Sequence, residues 1–131
     1  TDYETIIRLA AKGDRSAIDL KVSHIYEGSE PPIPGDLTAS NFGNVLNKAA
    51  SYKTEDLLAT VIGLVGETVA TTSVLAAGQY GVQNIVFIGS TFLQKPLLKE
   101  VVAGYTQLRG AAPHFVHHGE YSGAIGALLH P

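Results

Sequence analysis

Asn84-Ile85-Val86-Phe87-Ile88-Gly89-Ser90-Thr91-Phe92 is an apolar, β-rich run that stops on Gly-Ser, and a helical pattern from Leu97 to Leu108 follows it. Strand, tight turn and helix in that order are how α/β proteins present backbone N–H groups and a small hydroxyl to a nucleotide. Gly89 permits close approach of a ligand to the backbone, and Ser90 can donate a hydrogen bond without bulk. The segment is a candidate ligand-facing edge. A buried strand that merely enters a helix can end on the same Gly-Ser pair, so the segment alone leaves both readings open.

Working outward, the chain alternates in the same style. Tyr3 to Lys12 places Ile6, Ile7, Leu9 and Ala10 on one helical stripe, with Gly13 as its C-terminal stop. Asp19 to Tyr26 alternates, with Leu20, Val22, His24 and Tyr26 on one side, and predicts a half-buried strand. Glu30-Pro-Pro-Ile-Pro-Gly-Asp36 is a stiff connector, because proline fixes φ and removes a donor. Ser40 is placed as the N-cap of a short helix through Asn47, and Thr54 as the cap of a longer one. That longer helix, Glu55 to Ala77, is apolar nearly all round and rich in small residues, so it is expected to be buried on most faces, in a core or partly against a second subunit. Interior glycines such as Gly63 and Gly66 cost about 1 kcal/mol each relative to Ala, which close helix contact would offset. Glu67 is its one acid beyond the first turn, and reads as a paired interface carboxylate or as a general base.

Near the C-terminus Pro113 leads into a short strand pattern, His114-Phe115-Val116-His117. His118-Gly119 turns the chain, and Ser122 begins a small-residue helix, Gly123 to Leu129. The three histidines raise a metal reading. Their spacing matches no standard ligand set, no Cys is present, only Glu120 is nearby, and a strand would point His114 and His117 to opposite faces. No metal site is expected.

Composition bounds the class. With 131 residues, 45% hydrophobic and 16% charged, the chain reads as a single soluble domain with one core. A net charge of −3 without a Lys/Arg cluster argues against nucleic acid as a partner. The apolar stretch Val61 to Ala77 is interrupted by Gly, Glu67 and several Thr/Ser, which argues against a membrane span, and no secretory signal is visible. The absence of Cys excludes a disulfide framework and fits a cytoplasmic protein. The chain also lacks Met and starts at Thr1 inside a helical pattern, so it is expected to be a piece of a longer polypeptide.

Several motifs, in one order along essentially the whole chain, carry a family resemblance. They are Glu30-Pro-Pro-Ile-Pro-Gly-Asp-Leu-Thr-Ala-Ser-Asn-Phe-Gly43, Gly63-Leu-Val-Gly-Glu-Thr68, Ile85-Val-Phe-Ile-Gly-Ser90, Tyr105-Thr-x-Leu-Arg-Gly110 and Ser122-Gly-Ala-Ile-Gly-Ala-Leu128. Together they resemble the C-terminal half of a bacterial, staphylococcal-like type II pantothenate kinase. The resemblance implies an α/β fold, the C-terminal lobe of an actin-like (ribonuclease H-like) kinase of the acetate kinase, sugar kinase, chaperone ATPase and actin superfamily. It implies a parent that uses ATP with Mg²⁺ as substrate complex, without a tightly bound cofactor. That parent would phosphorylate pantothenate to 4′-phosphopantothenate, the first step of coenzyme A synthesis, as a cytoplasmic homodimer.

The family's Asp-x-Gly-Gly-Thr phosphate loop and its catalytic carboxylate belong to the N-terminal lobe of the same protein, and neither motif stands in these 131 residues. No catalytic residue is therefore assigned, and this stretch alone is expected to be inactive. By resemblance, Tyr3, Gly89 and Ser90 are nucleotide-binding, and Thr38 and Tyr105 reach the pantothenate pocket of the partner subunit. Judged by residue type alone, Tyr3 reads better as a helix-start aromatic packed on the core, Thr38 as a helix-entry hydroxyl and Tyr105 as a helix-surface residue. The alternatives are another small-molecule kinase of the superfamily, such as a sugar kinase, and a non-catalytic dimerisation lobe.

Overall fold

The computed structural model describes residues 2–45 and 52–130. Leu46 and Asn47, to which the short helix from Ser40 was expected to run, lie outside them, as does Thr1. The chain forms two compact units, Thr1–Leu64 and Val65–Pro131, where composition led us to expect one core. Each is described by itself.

The first unit begins with α1, Tyr3–Ala10. Asp2 caps it, its carboxylate accepting from the Thr5 N–H at 2.8 Å and from the Thr5 hydroxyl at 3.2 Å. Ala11 at the C-cap is right-handed, and Gly13 follows one turn on, its N–H donating to the Ala10 carbonyl. A short antiparallel pair, β1 (Leu20–Lys21) and β2 (Thr38–Ser40), follows with an irregular register between Leu20 and Lys21. The strand expected over Asp19 to Tyr26 therefore lasts two residues before α2, Val22–Ile25, replaces it. The reason is local: His24 Nδ1 accepts from the Lys21 N–H at 3.2 Å and closes a helical turn that the period-2 pattern could not reveal. Ser40 ends β2 instead of capping a helix, and the chain then turns through Phe42, which has a φ of 58°.

A buried ion pair organises this unit. Arg15 meets Asp19 at 2.9 Å, one helical turn apart, and Asp19 has no exposed surface. The second Asp19 oxygen accepts from the Phe42 N–H at 2.9 Å, so the carboxylate that bonds Arg15 also holds the turn after β2. The guanidinium lies across Gly63, where an added Cβ would stand 2.0 Å from its Cζ. Ala10, Ile18, Val22 and Ala59 supply the apolar part of the core.

α3, Thr54–Gln79, contributes its first half to this unit and its second half to the next. Asp56, Ala59, Thr60, Gly63, Gly66, Ala70 and Ala77 are buried on it, while Leu57, Val61, Leu64, Val65 and Leu75 are exposed. The expectation of burial on most faces is thus met on one stripe only. By length and composition α3 could cross a membrane, although 28% of its most apolar window is buried inside the protein.

The second unit is a β-α-β unit. β3 (Asn84–Phe87) and β4 (Ala112–Phe115) pair in parallel, Asn84 opposite Ala112 and Phe87 opposite Phe115. Between them runs α4, Pro96–Leu108, with Pro at the first turn where a missing N–H costs nothing. Its buried residues, Leu98, Val102 and Thr106, recur every fourth position and form one stripe. Gly66 of α3 lies against α4, where an added Cβ would stand 2.7 Å from Val101 Cγ1. Phe87 and Phe115 stack at 5.3 Å, and Phe92 meets both edge-on at 5.8 and 5.2 Å. α5, Ser122–Leu129, follows a short turn and leaves Leu128 and Leu129 largely exposed.

Two outcomes are expected. Asp19→Ala removes the buried carboxylate that bonds both Arg15 and the Phe42 N–H and should cost about 3–5 kcal/mol of stability, read as a lower urea midpoint; an unchanged midpoint would show that the pair does not organise the unit. The Thr5 hydrogen bonds hold the Asp2 carboxyl below the ordinary carboxylate range. A lowered acid stabilises the fold fully above its unfolded pKa and loses that contribution as pH falls through the folded value. The Thr5 amide resonance should titrate with a midpoint below that of an unperturbed Asp.

Candidate nucleotide-facing turn

β3 ends at Phe87, and the expected run to Phe92 breaks at Gly89, whose φ of 106° and ψ of 162° lie in a region that only glycine enters without strain. Ser90–Phe92 then forms a single 3₁₀ turn, with Ser90 exposed and its carbonyl accepting from the Leu93 N–H and from Lys95 Nζ. The hydroxyl and the turn therefore face outward from the carboxyl end of a parallel strand, where open α/β sheets take ligands.

A second turn stands beside it. β4 ends at Phe115, and residues 116–120 fold back with His118 left-handed at φ 55°. The Gly89 N–H donates to the Gly119 carbonyl at 3.1 Å, which clips the two turns together. Gly119 has no room for a side chain: an added Cβ would meet Val116 Cγ2 at 2.9 Å and Ile88 Cα at 3.5 Å. Between the turns lies a cavity of about 240 Å³, walled by Phe87, Ile88, Phe115 and Val116, with His118 and Glu120 at its polar side.

The other residues singled out in the sequence stand on other elements. Tyr3 stands in the first turn of α1, more than half exposed, in the first unit. Thr38 is in β2 of the same unit, half-buried, its hydroxyl within 3.3 Å of Arg15 Nη2 and 3.2 Å of Lys21 Nζ. Tyr105 is half-buried on α4 in the second unit. Within the second unit Gly89 and Ser90 adjoin on one turn, and Tyr105 stands on α4. His114 pairs through Nε2 with Asn84 Oδ1 at 2.9 Å, at the start of β3 and away from the turn. Among the described residues no group of three His, Cys, Asp or Glu is arranged to hold a metal ion. Sequence reasoning assigned nothing to Glu120; the Gly119 that follows His118 was its available signal, since a glycine there lets the second turn close on the first.

These features define an α/β protein with a glycine turn at the carboxyl end of β3. The Fumble family model matches residues 1–130, and the chain belongs to that family, the type II pantothenate kinases. Over 129 residues, 98% of the chain, it is 50% identical to a type II pantothenate kinase of Staphylococcus haemolyticus, 51% to one of Staphylococcus epidermidis and 53% to one of Staphylococcus aureus. Those 129 residues are 48%, 49% and 48% of the respective relatives, so the chain spans about half their length.

The Gly89 geometry has a measurable cost. Gly89→Ala should destabilise the protein by about 1–3 kcal/mol. Gly104→Ala, in α4 with open space around it, should instead be neutral or stabilising by up to about 1 kcal/mol. Equal urea midpoints for the two variants would contradict the strained turn.

Proposed function

We propose that this chain is the C-terminal lobe, with the actin-like fold, of a kinase that transfers the γ-phosphoryl group of Mg²⁺-bound ATP to pantothenate, giving ADP and 4′-phosphopantothenate for coenzyme A synthesis. The observation that carries this is the family match across residues 1–130 at about half identity to enzymes of that name. In the reaction the pantothenate hydroxyl oxygen bonds to the γ-phosphorus, the bond to the ADP oxygen breaks, and the hydroxyl proton passes to a base. Phosphoryl transfer is mainly positioning and charge stabilisation. This lobe's part is positioning: Ser90 and the Gly89 backbone line the nucleotide side, with Tyr3 as a flat ring bearing a hydroxyl. The base and the phosphate loop belong to the other lobe.

The working enzyme is a cytoplasmic homodimer in this reading, in which Thr38 and Tyr105 close the pantothenate pocket of the partner subunit. The exposed apolar stripe of α3 favours self-association, since Val61, Val65 and Leu75 present one contiguous side of a helix. Gly66 is a poor probe of that interface, because it packs on Val101 within the chain. Leu75, 64% exposed, is a better one.

In an enzyme of the relatives' full length, Ser90→Tyr should raise KM for ATP about tenfold or more while moving KM for pantothenate little, because bulk at the turn blocks close approach. Tyr105→Ala should do the reverse. An unchanged ATP response to Ser90→Tyr returns the Gly-Ser pair to a plain strand end. ATP consumption dependent on pantothenate by the 131 residues alone would overturn the division of labour between the lobes.

A further inference from the structure

We propose that the turn formed by residues 116–120 is the ribose-reading wall of the nucleotide site, with the Glu120 carboxylate accepting hydrogen bonds from the ribose hydroxyls and His118 holding that carboxylate in place. This rests on the reading that Gly89 and Ser90 face the nucleotide. The parallel register brings β3 and β4 to an end side by side, so their two turns occupy the same edge. The Gly89 to Gly119 hydrogen bond at 3.1 Å makes the second turn a fixed neighbour of the first.

The size of the cavity decides how much of a ligand it takes. At about 240 Å³ it is smaller than the ~300–1,000 Å³ usual for whole small-molecule ligands. It therefore accepts one part of a nucleoside triphosphate. Electrostatics decides which part. Glu120, at 16% side-chain exposure, stands in the lining, and an ionised carboxylate only accepts hydrogen bonds and repels phosphate oxygens. The ribose offers hydroxyl donors, and the walls from Phe87, Ile88, Phe115 and Val116 suit the apolar faces of a sugar and its base. Lys99, the cation in the lining, lies over the Phe115 ring with Nζ 5.8 Å from the centroid.

His118 acts through Glu120. Its left-handed backbone brings Nδ1 to 3.6 Å from Glu120 Oε1 while most of the ring remains in solvent. It is a positioning residue in this proposal, and Glu120 the residue that touches the ribose.

The test compares ATP with 2′,3′-dideoxy-ATP in an enzyme of the relatives' full length, measuring kcat/KM for each nucleotide and KM for pantothenate. A hydrogen bond to a charged group should let the unaltered enzyme favour ATP by about tenfold or more. Glu120→Ala should bring that ratio to within about twofold of unity without changing KM for pantothenate, and His118→Asn should reduce it partway. A structural defect would lower both nucleotides together and leave the ratio intact. Should Glu120→Ala fail to fold, His118→Asn and the unaltered enzyme still decide: no preference for ATP over the dideoxy analogue in the unaltered enzyme overturns the proposal, as does full preference retained in His118→Asn; where Glu120→Ala folds, full preference retained in it overturns the proposal too. If the proposal fails while Ser90→Tyr still raises KM for ATP, the nucleotide-facing turn stands and the ribose lies elsewhere. If Ser90→Tyr has no effect either, both readings fall.

Discussion

The parallel pairing of β3 with β4 is the constraint on which the candidate site depends. Parallel strands cannot be joined by a tight turn, so the 24 residues from Ile88 to Ala111 must cross over, and α4 makes that crossing with Leu98, Val102 and Thr106 turned inward. The register then places Phe87 opposite Phe115, and their stacked rings, closed by Phe92, fix the carboxyl ends of both strands at the same height. Both turns follow from that alignment. A one-residue slip would turn the Phe side chains to the other face and part Gly89 from Gly119.

In the first unit Arg15 and Asp19 play a corresponding role with charge in place of aromatic surface. Burying a carboxylate is expensive unless its oxygens are bonded, and Asp19 satisfies that condition twice, through Arg15 and through the Phe42 N–H. Gly63 leaves the space that the guanidinium fills. The same guanidinium reaches Thr38, so the hydroxyl proposed for the substrate pocket is held by the unit's own ion pair.

Helices α1, α3, α4 and α5 and the Gly-Ser turn were legible in the sequence because their signals are local. Ile85 to Phe87 is apolar and opens on two β-branched residues, Gly89 breaks the run, and the 3.6-residue pattern after Pro96 is unambiguous. The stretch from Asp19 to Tyr26 misled because alternation over eight residues is compatible with two strand residues and one helical turn, and only the His24 ring bonding back to Lys21 decides between them. The resemblance to type II pantothenate kinases was legible through several motifs at once and the family match bears it out. The neighbourhood of Glu120 was illegible, because the contact between two turns thirty residues apart depends on strand register, which no local pattern carries.

α3 shows the same limit in another form. Its buried stripe is made of small residues, Ala59, Gly63, Gly66, Ala70 and Ala77, and its exposed stripe of large ones, including Leu57, Val61 and Leu75. Hydropathy sees both sides as apolar, so the sequence alone reads as a helix buried all round. Size, not polarity, separates the faces: small residues admit the close neighbours Arg15 and Val101, while the large ones stand outside. A large aliphatic side chain gains about 1.5–3 kcal/mol on full burial, and the exposed residues of α3 retain part of that unspent. A helix that turns its small residues inward and its large ones outward therefore packs closely on its own neighbours and leaves its larger apolar side chains exposed.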